Sequence, residues 1–128
     1  ENALKVAQYL AAQEKIEFVN YPALKDNKYH TLYQKYVPKG CSGVISFSLR
    51  GSRENAVRFL DNLKLASNVV HVADIRTCVL HPASSTHRQL TDEQLKAAGI
   101  TPGLIRLSVG LENIQDIIDD LEQAFQKI

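Results

Sequence analysis

The run Leu104-Ile105-Arg106-Leu107-Ser108-Val109 sets a permanent cation among apolar residues that otherwise read as a strand. A guanidinium is planar, always charged and able to grip a carboxylate with two parallel hydrogen bonds, and a strand would hold it rigid. Upstream, His81-Pro82-Ala83-Ser84-Ser85-Thr86-His87 groups two imidazoles with three hydroxyls. No Ser-His-Asp or Cys-His arrangement has a spacing that favours nucleophilic catalysis over chance. Cys41 and Cys78 lack metal-ligand spacing and make no disulfide framework, so both read as small reduced core residues, and no metal site is expected.

Period-two alternation places Ile105, Leu107 and Val109 on one face and Leu104, Arg106 and Ser108 on the other. The segment Val44–Arg50 divides in the same way, with Ile45, Phe47 and Leu49 opposite Ser46 and Ser48. Helices are expected over the apolar face, which leaves the Arg106 face for solvent or another domain. Two readings of Arg106 stand at this point: a cation on a wet sheet face, or a rigid recognition group.

The other elements follow from periodicity. Leu4, Ala7, Leu10 and Ala11 predict a helix over 2–13, and Ile16–Asn20 alternates as a strand before Pro22. Tyr29, Leu32, Tyr33 and Tyr36 predict a short helix over 28–36 whose aromatic stripe packs into the core. Ser52 is placed to cap a helix over 53–63, and short strands are expected at Asn68–Val72 and Thr77–Leu80. Thr91 and Gln94 have capping-box spacing, Gly99 stops the helix that follows, and Leu111 to Ile128 carry a final apolar stripe with Asp116, Asp119, Asp120 and Glu122 on its wet side. The sum is an α+β fold: a small, mainly antiparallel sheet with helices packed on one face.

Composition narrows the function classes. The 128 residues, 45% hydrophobic and 23% charged, suit one globular domain. Fifteen basic and fourteen acidic residues are scattered to a net charge of +1, which argues against a nucleic-acid partner. No apolar run approaches the roughly 20 residues that span a bilayer, and the first ten residues resemble no targeting peptide, so no membrane partner and a cytoplasmic location are the expectations. The chain contains no Met and opens as helix interior, as would a piece of a longer protein.

The segments VNYPALKDNKYHTLYQKYVPKGCSGVISFSL, HPASSTHRQL and AGITPGLIRLSVGLENIQDIIDDLEQAF resemble the C-terminal domain of the pyridoxal-phosphate-dependent Cys/Met-metabolism enzymes, a group of fold-type I transferases and lyases. The resemblance runs from end to end, and HPAS-x-TH followed by GLIRLSVG is its most specific part. Within the family, NKY near PKG-x-SG and the THRQL continuation are most similar to the O-acetylhomoserine sulfhydrylase (homocysteine synthase) branch. The resemblance implies a single small domain over 1–128, with residues 1–13 part of an inter-domain helix. It implies that Arg106 binds the α-carboxylate of the amino-acid substrate and that Ser84 and Thr86 lie near that substrate. His71 falls where the family usually has a small polar residue lining the substrate pocket before Gly-Asp or Gly-Gly. Here the stretch reads His71-Val72-Ala73-Asp74, so a pocket residue and a packed or exposed histidine are equal alternatives.

The resemblance also implies pyridoxal 5'-phosphate in the full-length enzyme. The cofactor lysine, the aspartate at the pyridine nitrogen, the stacking tyrosine and the phosphate ligands would lie in a preceding large domain of the same chain. No catalytic or cofactor-binding residue is then expected in these 128 residues, nor turnover from them alone. The expected partners are O-acetylhomoserine and sulfide or a thiol, and the expected assembly is a homotetramer. The competing readings are a cystathionine γ-synthase, cystathionine γ-lyase or methionine γ-lyase domain, a stand-alone amino-acid-binding regulatory module, and an interaction domain in which Arg106 is replaceable.

Overall fold

Alternation and helical periodicity resolve into five strands and five helices in the computed structural model, which describes residues 1–128. In chain order these are α1 (Asn2–Ala11), β1 (Ile16–Asn20), α2 (His30–Tyr36), β2 (Val44–Leu49), α3 (Arg53–Asn62), β3 (Ser67–Asn68), β4 (Cys78–Leu80), a 3-10 turn (Pro82–Ser84), α4 (Asp92–Ala97), β5 (Leu104–Ser108) and α5 (Ile114–Phe125). The sheet order is β1-β2-β5-β4-β3. Every pairing is antiparallel except the two-residue β3 beside β4. No helix is long and apolar enough to cross a membrane.

One face of the sheet is covered by helices because its residues are apolar at every second position. Ile45, Phe47, Val79, Ile105 and Leu107 are buried there with Val6, Ala7 and Leu10 of α1, Phe59 of α3, and Ile117, Leu121 and Phe125 of α5. Phe59 stacks tilted on Phe125, ring centroids 4.7 Å apart, and meets Phe47 edge-on at 6.2 Å. The amide of Asn2 donates to the backbone oxygens of Gly110 and Glu112, tying the start of α1 to the β5–α5 turn.

Several expectations need correction. The helix over 28–36 exists, but α2 buries none of its residues, and Tyr29, Leu32 and Tyr36 are exposed. Lys28 and Lys35 instead lie 4.9 and 5.1 Å from the ring centres of Tyr29 and Tyr36, so cation–π contact and solvent replace core packing. Cys78 is buried, whereas Cys41 is only half-buried. Ser52 occupies the N-cap of α3 without a side-chain cap, since the Asn55 amide is taken by the Ser52 backbone oxygen. Leu111 is exposed, and the last helix begins at Ile114 behind the Asn113 cap. The capping box at Thr91 and Gln94 is present, and Gly99 at φ +76° ends that helix in the left-handed region.

Two glycines are required by close approach. A Cβ at Gly103 would strike the backbone oxygen of Leu49, and one at Gly110 would strike Ile75, Arg76 and Glu112. Gly103→Ala and Gly110→Ala are each expected to lower the unfolding free energy by about 1–3 kcal/mol, read as a shift in urea midpoint.

Candidate functional site

Arg106 sits on the middle strand of the sheet, on the face the helices leave open. The registers Asn20↔Ser46, Ser46↔Arg106 and Arg106↔Leu80 make one row across four strands, and its neighbours Ile105 and Leu107 point into the core. The guanidinium is half-buried and makes one protein hydrogen bond, Nη2 donating to the Val70 backbone oxygen at 2.7 Å. No carboxylate pairs with it, although Arg53 and Arg76 both have acidic partners. A cation fixed by a central strand and left without a counter-ion is suited to take an anionic group from outside.

Val70 belongs to the 69–76 loop, the first part of which falls in the strand expected at Asn68–Val72. Pairing stops at Asn68 because the chain then turns over the open face. The Ala73 amide donates to Ser108 Oγ at 3.1 Å, with Ala73 itself at φ +60°. Asp74 Oδ1 accepts from the Arg76 amide at 3.0 Å, and Asp74 Oδ2 accepts from Arg76 Nη2 at 3.1 Å. The Arg76 guanidinium holds the Asp74 carboxyl well below the usual carboxylate range. His71 is exposed, its Nδ1 3.5 Å from Asp74 Oδ2. The structure thus brings His71 and Arg106 to the same loop through the intervening Val70 carbonyl.

Ser84 and Thr86 are engaged within their own turn. Ser84 Oγ lies 2.8 Å from His81 Nδ1, and Thr86 Oγ1 lies 2.9 Å from His87 Nδ1. His81 is fully buried, and its Nε2 donates to the Pro102 backbone oxygen at 2.7 Å, linking the turn to the start of β5. Beside this turn a polar cleft of about 870 Å³ is lined in part by Glu17, Arg50, Arg53, Asp92, Lys96 and Thr101. Arg53 closes one wall, donating to the backbone oxygens of Ala83 and Leu90 and to Asp92 Oδ1 at 2.5 Å.

Burial pushes the His81 imidazole below its ordinary value, the nearby Arg53 charge adds to this, and the Pro102 carbonyl opposes it. The folded state therefore prefers neutral His81. Its contribution to stability is full above the ordinary imidazole value of about 6.5 and is lost as pH falls through the lower folded value. Urea midpoints taken between pH 8 and pH 5 should show a steeper acid-side decline for the native sequence than for His81→Gln.

The Val70 carbonyl is absent from any residue-type reading because it is a backbone group. The Asp74-Ile75-Arg76 clamp was visible only as two opposite charges two residues apart. A second hidden tie is Glu112, whose carboxylate accepts from the Thr77 amide at 2.6 Å and the Thr77 hydroxyl at 2.8 Å.

Residues 1–126 match the family described as Cys/Met metabolism PLP-dependent enzyme. An O-acetyl-L-homoserine sulfhydrylase of Leptospira meyeri is 47% identical over 128 residues, covering 99% of this chain and 29% of the relative. An L-methionine gamma-lyase of Fusobacterium nucleatum subsp. polymorphum is 48% identical over 128 residues, covering 100% of this chain and 32% of the relative. A crystal structure assigned as an O-acetylhomoserine (thiol)-lyase of Campylobacter jejuni, holding N'-pyridoxyl-lysine-5'-monophosphate, aligns with a TM-score of 0.87 at 45% identity, over 98% of this chain and 30% of that one. The chain spans about 30% of the length of these relatives.

Proposed function

Since this chain belongs to the Cys/Met metabolism PLP-dependent enzyme family, we propose that it is the substrate-anchoring domain of a longer enzyme, with Arg106 taking the α-carboxylate of an amino acid. The observation that carries this reading is the unpaired guanidinium on the middle strand, facing away from the helices. Residues 1–128 then act as one small domain, with residues 1–13 leading in from a larger one. His71 borders the anchor, while Ser84 and Thr86 shape the turn beside it. A homotetrameric assembly and a cytoplasmic location go with this reading.

The residues of this chain do not make a pyridoxal site by themselves. A lysine that carries the cofactor works from an enclosed pocket, and all nine lysines here are exposed. When bound elsewhere in the longer protein, the cofactor supplies the electron sink for chemistry at the amino acid's carbons. This chain's part is to bind and orient: a bidentate grip on the carboxylate fixes the substrate's direction, so its γ-carbon is presented the same way in each encounter.

The reaction we assign is replacement of acetate at the γ-carbon of O-acetylhomoserine by sulfide or a thiol, giving homocysteine or methionine. Relatives named as sulfhydrylases support it. A second reading, elimination at the γ-carbon, is favoured by the 48% identity to the methionine gamma-lyase. Product analysis of the full-length protein separates them. Homocysteine from O-acetylhomoserine and sulfide is the expected result, thiol release from methionine alone would support the lyase, and neither product would overturn both. The 128 residues alone are expected to show no turnover.

A further inference from the structure

We propose that His71, backed by Asp74, takes the proton from the sulfur nucleophile, an inference that rests on the γ-replacement reading above. Three observations place it there. The Val70 oxygen that holds the Arg106 guanidinium is the carbonyl immediately before His71, which keeps the imidazole within about 10 Å of the cation. That is comparable to the reach of a carboxylate-anchored four-carbon amino acid out to its γ-carbon. The ring is exposed, with no protein partner on Nε2, whereas His81 uses both nitrogens internally and His30 is held by the Pro22 carbonyl beyond β1.

The loop is also built to receive a positive charge on that ring. Asp74 Oδ2 lies 3.5 Å from His71 Nδ1, at ion-pair distance once the ring is protonated. Asp74 is fixed in place by the Arg76 amide and guanidinium, and the preceding residue by Ser108 Oγ. The charged groups around His71 are Asp74 and Arg76 on its own loop and Arg106 from β5.

The step balances without any further reagent. The nucleophile is the thiolate, so the S–H bond must break. Acetate leaves the γ-carbon with the C–O pair as a proton is lost from the β-carbon; the thiol's proton then passes to His71 Nε2, the sulfur pair forms the C–S bond at the γ-carbon, and a proton returns to the β-carbon. The imidazolium returns its proton to the water that reaches the exposed ring.

The test uses the full-length holoenzyme and a series of thiols of rising pKa, with O-acetylhomoserine held constant. For His71→Asn the replacement rate at neutral pH should fall about 10- to 100-fold with weakly acidic alkyl thiols and by less than about 3-fold with thiols already ionised. The deficit should shrink as pH is raised, and the KM for O-acetylhomoserine should stay unchanged. Asp74→Asn should show a smaller loss with the same dependence on thiol pKa. An equal loss across all thiols, a change confined to the O-acetylhomoserine KM, or no loss would overturn the role of His71. If the unmodified enzyme makes no replacement product with any thiol, the functional reading itself falls.

Discussion

Arg106→Lys in the full-length enzyme is expected to lower kcat/KM for the amino-acid substrate by roughly 30- to 3,000-fold, the equivalent of about 2 to 5 kcal/mol for a sheltered bidentate charge pair. Lysine keeps the charge but offers no planar fork, and its flexible stem does not hold one direction. On the proposed reading the carboxylate is gripped before and during reaction alike, so most of the loss should appear in KM, with a remainder in kcat from misaligned carbon chemistry. The fold should be untouched, since the side chain has a single protein hydrogen bond and lies on the helix-free face. An unaltered KM and turnover would favour an interaction domain in which the arginine is replaceable. Measurable amino-acid binding by the 128 residues alone would favour the regulatory module.

Asp120→Ala is expected to cost about 3 kcal/mol of unfolding free energy, and Asp120→Asn about half as much. Helical periodicity puts Asp120 on the wet side of α5, yet it is buried. Its Oδ1 accepts from the Lys64 amide at 2.7 Å, and its Oδ2 accepts from the Leu65 and Ala66 amides at 2.9 Å each. These three donors lie just past the end of α3, where the chain turns into β3 and has no strand partner of its own. Removing the carboxylate strands all three, and water reaches the exposed Lys64 and Leu65 more readily than Ala66, which holds the loss below the sum of three charge-assisted bonds. Asparagine retains one acceptor oxygen. Urea unfolding of both variants beside the native sequence checks the order.

The parts of the fold written in periodicity are those legible in the sequence. Strands β2 and β5 follow from alternation, α4 from its capping box, and the core side of α5 from Ile117, Leu121 and Phe125. What escaped was set by partners remote in sequence. The three-four spacing of Tyr29, Leu32, Tyr33 and Tyr36 predicts a sided helix, but spacing does not tell whether anything covers that side. Asp120 looks like any acidic residue on a solvated stripe until the amides after α3 are brought to it. The strand expected at Asn68–Val72 fails after Asn68 because Val70 and Ala73 turn their backbone groups toward Arg106 and Ser108. The candidate site divides likewise: alternation and family resemblance single out Arg106, while the carbonyl steadying it and the Asp74–Arg76 clamp emerge only in three dimensions.

The row Asn20, Ser46, Arg106, Leu80 runs through paired strands, while the residues bordering the guanidinium belong to a loop outside the strand ladder, held by scattered side-chain and backbone contacts. On the reading proposed for Arg106, divergence can rewrite that loop, and with it the choice of incoming sulfur compound or the fate of the γ-carbon, while the strand that carries the arginine stays as it is. Sulfhydrylases and lyases of nearly equal similarity to one chain are what such a division of labour would leave behind.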